Sequence, residues 1–310
     1  MASLYSRITR RLRLRDLEAL VSLEQTRSMT RTADLLAMTQ PALSKLLKEI
    51  EASVGEALFM RTTRHVVPTE AGLVLLQYAQ RILGDLKRID VDLQALHAGD
   101  FQVVRVGAPA AVAATLLPMA VSVTRRENLS HQIRLTEGTV DVMFDKMQRR
   151  EIDLLLARAD DSLLDAGCHF EGLYDDSFCI AAAASHPLQG RSGIGWRDAL
   201  EFPWIIPPEH SQVRKSMELA LAAEGLTKPR ATLVSTSPFV NALIAQTAPF
   251  LYLTSSRVVE RMSSSLQISA LDLDVFSGSS RVGVFWLDTP IPAARSLIDA
   301  LKAQTALLDA

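Results

Sequence analysis

The chain of 310 residues is 48% apolar, 22% charged and 5% aromatic, which excludes a disordered chain and a collagen-like repeat. Its length predicts two domains, each large enough to bury a core. The formal net charge of −2 argues, over the whole chain, against a nucleic-acid-binding protein. However, residues 1–68 hold 11 basic and 7 acidic side chains, whereas residues 69–310 hold 22 and 28. The sequence therefore predicts a small basic module followed by a larger acidic one.

Cysteine content and hydropathy bear on location and cofactors. Cys168 and Cys179 are the only cysteines, too few for a disulfide framework or a zinc site. They fall on neighbouring predicted strands, and we expect ordinary buried thiols, with a redox switch as the alternative. Two long uncharged stretches, residues 106–123 and 231–256, contain prolines and polar residues that a membrane-spanning helix would avoid. The sequence predicts a cytoplasmic protein with no membrane partner, metal or cofactor.

Three short helices are predicted in the basic module. Apolar residues recur at helical spacing from Arg13 to Gln25, and Ser28 is a suitable N-cap for a second helix over Met29–Leu36. Pro41 lies near the start of a third helix, where its missing N–H would have no partner in any case. The third helix carries a continuous apolar stripe: Leu43, Leu46, Leu47, Ile50 and Val54. Three short helices with a tight turn before the third are typical of a helix-turn-helix.

The opposite face of the third helix is polar. It is formed by Thr39, Gln40, Ser44, Lys45 and Lys48. In a helix-turn-helix this end meets the major groove, where Gln and Ser can hydrogen-bond base edges and Lys suits phosphates. Residues 59–68 follow as a β-hairpin wing with Arg61 and Arg64 near its tip. A solvated amphipathic helix with no DNA partner is the alternative.

A long fourth helix is predicted from Glu70 to His97. Its apolar residues alternate spacings of four and three: Leu75, Ala79, Ile82, Leu86, Ile89, Leu93 and Leu96. This heptad pattern is typical of a two-stranded coiled coil, so we expect a homodimer whose two-fold symmetry matches a palindromic DNA site. A helix buried within its own chain is the alternative.

From Gln102 onward, predicted strands and helices alternate, which is typical of parallel α/β units. The first set comprises strands 103–106, 132–136 and 152–157 with helices 112–125 and 140–149. The second set comprises strands 178–184, 204–206, 232–236 and 250–253 with helices 213–224 and 239–245. A late strand over 282–286 and a final helix over 293–308 follow. The pattern predicts two lobes joined by crossing segments.

Ligands bind open α/β sheets at the carboxyl ends of strands, where helix N-termini present free amides. The cleft between the lobes should therefore be lined by five loops: Ala108–Ala111, Gly138–Thr139, Ala157–Arg158, Pro207–Ser211 and Ser235–Phe239. Arg158 is the only cation predicted at a strand end there, which indicates an anionic ligand. Alternatively, Arg158 pairs with Asp160 or Asp161. Thr139 and Ser211 would then serve only as helix caps.

Four segments of the basic module and its boundary resemble the winged helix-turn-helix of LysR-type transcriptional regulators. They are Ala33–Asp34–Leu35–Leu36, Thr39–Gln40–Pro41–Ala42–Leu43–Ser44, Glu51…Gly55…Leu58–Phe59 and Thr69–Glu70–Ala71–Gly72. The resemblance implies DNA contacts from eight residues: Thr39, Gln40, Pro41, Ser44, Lys45, Lys48, Arg61 and Arg64. Lys45 stands where family members usually carry arginine, and an ammonium group matches guanine less well than a guanidinium does. The resemblance also implies dimers, joined by the long helix, that pair into a homotetramer.

From Gln102 onward the resemblance continues, more weakly, as a similarity to the effector-binding domain of the family, so that it covers almost the whole chain. It lies in Glu137–Gly138–Thr139, Glu151–Ile152–Asp153–Leu154, Ser185–His186–Pro187–Leu188 and Ser235–Thr236–Ser237. By position, it implies an inducer pocket lined by Thr139, Arg158, Ser211, Ser237 and Phe239, as in regulators of aromatic-acid and sugar catabolism. Around Ala110 the first loop departs from the family, because Pro109–Ala110–Ala111 stands where Ser or Thr is frequent. Only backbone amides are then available in that loop.

The expected fold class is α/β overall, with an all-α winged helix-turn-helix, a long linker helix and a two-lobed effector domain like that of periplasmic binding proteins. The expected domains are residues 1–68, 69–98 and 99–310, with lobe I over about 99–175 and 275–310 and lobe II over about 176–274. The expected function is a transcription regulator with three partners: an interrupted palindromic promoter in double-stranded DNA, a small anionic inducer and RNA polymerase.

An enzyme is not expected, because the chain has no nucleophile elbow, phosphate-binding loop or H-E-x-x-H motif. The alternative function is a two-lobed solute-binding or enzymatic α/β domain fused to a helical oligomerisation module.

Overall fold

The computed structural model describes residues 12–61, 65–97, 102–126, 131–273 and 280–306. The chain forms two compact units, one of Met1–Gly99 with Gln148–Glu151 and one of Asp100–Met147 with Ile152–Ala310. Each unit has hydrophobic cores of its own. Among the described residues, no helix combines the length and the apolar character needed to cross a membrane.

The first unit consists of helices and one β-hairpin. Its elements are α1 (Leu14–Thr26), α2 (Met29–Leu35), α3 (Gln40–Val54), β1 (Phe59–Arg61), β2 (Val66–Pro68) and α4 (Glu70–His97). The Ser28 hydroxyl caps α2 by accepting a hydrogen bond from the Arg31 amide. Thr39 caps α3 in the same way through the Ala42 amide. Gly55 ends α3 with a left-handed φ of 92°.

Backbone contacts around Leu58 join α3, the hairpin and α4. The Glu51 carboxylate accepts hydrogen bonds from the amides of Leu58 and Phe59, at 2.9 and 3.3 Å. The Thr69 amide donates to the Leu58 carbonyl oxygen at 2.9 Å. A Cβ atom on Gly72 would lie 2.0 Å from that same oxygen. Only glycine therefore allows the start of α4 to lie so close to this backbone.

The second unit alternates strands and helices. Its elements are β3 (Gln102–Ala108), α5 (Ala110–Arg126), β4 (His131–Glu137), α6 (Val140–Gln148), β5 (Leu154–Arg158), α7 (Asp161–Asp165), β6 (His169–Asp176), β7 (Phe178–Ala183), α8 (Trp196–Leu200), β8 (Trp204–Ile206), α9 (Gln212–Ala223), β9 (Ala231–Val234), α10 (Pro238–Ala245), β10 (Leu251–Ser255), α11 (Ser256–Leu266), β11 (Ile268–Ala270), β12 (Ser280–Trp286) and α12 (Pro292–Thr305). Helices α7, α8 and α11 and strands β6 and β11 had no counterpart among the predicted elements.

Two five-stranded sheets divide this unit into two lobes, as predicted. Lobe I has the strand order β4-β3-β5-β12-β6, and lobe II has the order β11-β7-β10-β8-β9. Strand β3 runs parallel to β4 and β5, and β8 runs parallel to β9 and β10. Strands β12 and β7 are antiparallel to their neighbours. The chain passes from lobe I to lobe II between β6 and β7 and returns between β11 and β12.

Replacing Gly72 with alanine tests the close approach of α4 to Leu58. A Gly→Ala change inside a helix normally stabilises it, but here the new Cβ meets a backbone oxygen at 2.0 Å. We expect Gly72→Ala to lower the free energy of unfolding by about 1–3 kcal/mol. Gly195→Ala is the control, because its Cβ would meet nothing closer than 3.9 Å. Equal thermal midpoints for Gly72→Ala and the wild type would contradict the packing described.

Candidate functional site

The start of α3 presents a polar face opposite its buried stripe. Leu43, Leu47 and Ile50 are buried in the core of the first unit. Six of the predicted DNA-contacting residues lie on α3 or at its cap: Thr39, Gln40, Pro41, Ser44, Lys45 and Lys48. Of these six, Ser44 is half-buried and the other five are exposed. The helix thus brings together side chains that can reach an external partner.

The basic groups of this face are only weakly engaged within the chain. Lys45 Nζ lies 3.9 Å from Glu49 Oε1, and the Lys45 side chain is 80% exposed. Such an exposed pair contributes little, so Lys45 can exchange it for a phosphate. Arg61 is the last residue of β1, but its side chain and the whole of Arg64 lie outside the described residues.

A cavity of about 110 Å³ lies between lobes I and II of the second unit. The carboxyl ends of parallel strands and the starts of α5, α6, α9 and α10 line it. Four predicted residues contribute to the lining: Ala110, Thr139, Arg158 and Ser211. Ser237 and Phe239 do not, which corrects that prediction. Ser237 caps α10 through the Val240 amide, and Phe239 is 52% exposed in the first turn of that helix.

Arg158 is buried in the cavity wall, and its charge is already paired. Its guanidinium donates to Asp176 Oδ2 and to the Asp176 carbonyl oxygen, both at 2.6 Å, and to Ser280 Oγ at 2.8 Å. It also lies 4.0 Å from the centre of the Phe178 ring. Burial lowers the pKa of Arg158, while the Asp176 carboxylate opposes that shift. The alternative partners Asp160 and Asp161 were wrong, and Arg158 is not a free anchor for an anionic ligand.

Asp160 instead connects the two lobes. It caps α7 through the Ser162 amide and accepts a hydrogen bond from Gln212 Nε2 of lobe II at 2.8 Å. Burial acts to raise the pKa of Asp160, but hydrogen bonds from Ser162 and Gln212 outweigh it and the pKa is lowered. The carboxylate form of Asp160 therefore favours the arrangement in which Gln212 reaches lobe I.

Most hydroxyl groups of the lining already have partners. Ser211 Oγ accepts from the Arg214 amide at 3.3 Å and donates to the Pro208 carbonyl at 2.7 Å. The Thr139 hydroxyl bonds the Asp141 carboxylate and thereby lowers the pKa of Asp141. Ser211 is thus both a helix cap and part of the lining. Neither Ser211 nor Thr139 is an uncommitted ligand-binding group.

Asn241 and Thr254 are lining residues that were not predicted. Asn241 Oδ1 and Thr254 Oγ1 are buried and have no hydrogen-bond partner among the described residues. Leaving a buried polar group unpaired costs about 1–3 kcal/mol, so a bound water or ligand that pairs with either atom would be stabilised. The sequence signal was a single asparagine in the apolar helix 238–245 and a threonine near the carboxyl end of strand 251–255.

The two cysteines fit the interpretation of ordinary thiols. Both are free, and Cys168 packs in a core of lobe I while Cys179 packs against a core of lobe II. Burial raises the pKa of each thiol to about 11. Because the thiolate is the reactive form, neither side chain is activated for oxidation at neutral pH.

Sequence comparisons cover nearly the whole chain. Residues 14–73 match the bacterial regulatory helix-turn-helix protein of the lysR family, and residues 97–306 match the LysR substrate binding domain. The HTH-type transcriptional regulator GbpR of Azospirillum brasilense is 29% identical, over 94% of this chain and 86% of that protein. The HTH-type transcriptional regulator PcaQ of Agrobacterium fabrum is 26% identical, over 89% of each.

Solved structures share this fold. The LysR family regulator CbnR, in complex with its target DNA, has a TM-score of 0.61 at 15% identity and covers 95% of this chain and 100% of its own. A variant of full-length OxyR from Pseudomonas aeruginosa has a TM-score of 0.60 at 20% identity, covering 96% of this chain and 95% of its own.

Removing one member of the Arg158–Asp176 pair tests whether this arginine is structural. Arg158→Ala leaves a buried carboxylate without a counter-charge, and we expect the free energy of unfolding to fall by about 3–5 kcal/mol. The control Arg281→Ala breaks an exposed pair with Asp175 and should change it by less than about 1 kcal/mol. Urea denaturation without ligand measures both. A stable Arg158→Ala protein would contradict the structural role.

Proposed function

The chain belongs to the LysR family of DNA-binding transcriptional regulators, and we propose how its parts divide that work. Helix α3 enters the major groove of a promoter, α4 joins two copies, and a small inducer binds between lobes I and II. The observation that carries this proposal is the exposed polar face at the start of α3, next to a basic hairpin. A DNA partner also implies a cytoplasmic location.

The residue types on α3 suit different parts of DNA. Gln40 and Ser44 can hydrogen-bond base edges, whereas Lys45 and Lys48 suit phosphates. Thr39 caps α3 and Pro41 lies in its first turn, so these two residues position the start of the helix in the groove. Arg61 and Arg64 would add contacts from the wing to the backbone or the minor groove.

An exposed apolar stripe on α4 supports a homodimer. Leu75 and Ala79 pack within the first unit, but Ile82, Leu86, Ile89 and Leu93 are 38–53% exposed. The same stripe of a second copy would cover them with heptad spacing. Leu96 extends the predicted stripe, but its side chain lies outside the described residues. A two-fold dimer fits an interrupted palindrome, and we propose that dimers pair into a homotetramer and contact RNA polymerase.

The inducer is proposed to carry an anionic group, held by backbone amides and not by Arg158. The lining includes the first residues of α5 and α6, Ala110, Ala111 and Val140, whereas the amide of Val112 already donates to the Pro109 carbonyl oxygen at 2.9 Å. The first amides of a helix have no partner within it and attract anions. An inducer with unequal affinity for two lobe arrangements would change their populations and so the spacing of the DNA-binding heads.

DNA binding can be tested by fluorescence anisotropy with fragments of the source genome. We expect one promoter fragment to bind more tightly than random DNA at physiological salt. Lys48→Ala should weaken binding to the promoter fragment and to random DNA alike, and should reduce the salt dependence of binding by about one phosphate contact. Gln40→Ala should mainly reduce the preference for the promoter fragment over random DNA. Lys87→Ala, at an exposed residue of α4, is the control for the loss of one positive charge. The proposal fails if no fragment is preferred or if Lys48→Ala behaves like the control.

The dimer stripe can be tested with a charge at its centre. Ile89→Asp would place two carboxylates in an apolar seam, and we expect sedimentation to show smaller species than for the wild type. Because Ile89 is exposed in the single chain, the circular dichroism spectrum of the Ile89→Asp protein should match that of the wild type. Lys87→Glu changes charge off the stripe and should keep the wild-type size. Equal sizes for Ile89→Asp and Lys87→Glu would rule out this interface.

A further inference from the structure

The lobe II wall of the cavity has unmet hydrogen-bonding capacity. Among the lining residues, Arg158 is bound to Asp176, Gln212 to Asp160, and Ser211 to backbone groups. Two buried side-chain atoms of lining residues have no hydrogen-bond partner within the part of the chain that the structure describes: Asn241 Oδ1 and Thr254 Oγ1. Both belong to lobe II, in α10 and β10.

Asn241 is fixed in place by its own helix. Its backbone amide donates to the Ser237 carbonyl at 3.0 Å in the first turn of α10, and the residue is 4% exposed. The neighbouring Ala242 and Ala245 pack in the core of lobe II. In this orientation of the amide, the group without a partner among the described residues is the acceptor Oδ1.

Thr254 lies one residue before the end of β10 and is 5% exposed. It pairs across the sheet with Cys179, whose thiol is a weak hydrogen-bonding group. The Thr254 hydroxyl can both donate and accept, yet none of the described residues offers it a hydrogen bond. The cavity lining also includes Leu253, Pro238 and Phe178, whose apolar side chains cannot form a hydrogen bond with it.

We propose that Asn241 and Thr254 select a hydroxyl-bearing ligand. This inference rests on the proposed function, since it concerns the same cavity. A ligand hydroxyl can donate to Asn241 Oδ1 and accept from Thr254, whereas a carboxylate has no proton to donate to the Asn241 carbonyl oxygen. The ligand is therefore a small hydroxy acid, with its acid group toward the amides of lobe I and its hydroxyl toward lobe II.

Matched probe compounds test this selection by calorimetry on the full chain. The pairs are 3,4-dihydroxybenzoate with benzoate, and gluconate with hexanoate. We expect the hydroxylated member of at least one pair to bind about tenfold more tightly or better, as for one hydrogen bond to a buried group. In Thr254→Val and Asn241→Leu that difference should shrink to about threefold or less, because the hydroxylated member loses more affinity than the unhydroxylated one.

Stability without ligand gives a second readout. Thr254→Val removes an unpartnered hydroxyl and should leave the thermal midpoint unchanged or raise it. Thr305→Val is the matched control, because Thr305 is also buried but its hydroxyl donates to the Leu301 carbonyl oxygen at 3.0 Å, so the thermal midpoint of this variant should fall. A fall for Thr254→Val equal to that of the control would show that its hydroxyl is already used, and would overturn the inference.

Other outcomes separate this inference from the proposed function. If no hydroxylated compound binds more tightly than its partner, or if both variants keep the preference, water satisfies these atoms and the hydroxyl selection is wrong. Ala111→Trp, which fills the cavity from α5, then tests the site itself. If Ala111→Trp abolishes the binding of benzoate or hexanoate, the inducer does bind in this cavity, and only the proposed selection of a hydroxyl group is wrong. Binding that survives Ala111→Trp places the ligand elsewhere and contradicts the proposed function.

Discussion

The buried ion pair of Arg158 with Asp176 is the interaction on which the geometry of the ligand cavity depends. Arg158 ends β5 and Asp176 ends β6, and Ser280 at the start of β12 lies between them in the sheet. The pair therefore ties three strands together at one edge of lobe I. That edge is also where the chain leaves for lobe II, because Phe178 already belongs to β7. The wall of the cavity and the crossing between the lobes are held by the same contact.

Pairing within the wall decides how the cavity can recognise a ligand. A free arginine would make charge the main determinant, but a guanidinium bound to a carboxylate leaves nearly no net charge to offer. The ligand is then recognised by backbone dipoles and hydrogen-bonding groups, and its affinity depends more on the positions of its polar atoms than on its net charge. The amides at the starts of α5 and α6 lie on one side, and Asn241 and Thr254 on the other. This division gives each lobe its own part of the ligand, so binding is sensitive to the lobe arrangement.

Periodicity predicted most of the fold. The bounds of α4 agree with the prediction because Thr69 caps a long, regular heptad pattern, and both lobes followed from alternating strands and helices. Helix α11 was missed because it follows β10 without an intervening loop and is rich in serine. Its sequence therefore contains neither a turn signal before the helix nor a continuous apolar run. The four predicted lining residues that were found, such as Thr139, follow strand ends, where topology alone specifies their place.

Side-chain pairing was the part that could not be predicted. Asp160 and Asp161 were the near neighbours of Arg158 in sequence, but the true partner is 18 residues away and meets it only through the sheet order. Asp160 is instead occupied by Gln212, a residue of the other lobe. Such contacts depend on tertiary structure, whereas the asparagine in the apolar helix α10 was visible in the sequence.

A crystal structure of the full chain with 3,4-dihydroxybenzoate bound is the most direct test of this division of roles. We expect the Arg158–Asp176 contact to stay intact and a ligand hydroxyl to lie within about 3.2 Å of Asn241 Oδ1. A ligand carboxylate bound to the Arg158 guanidinium in place of Asp176 would contradict it.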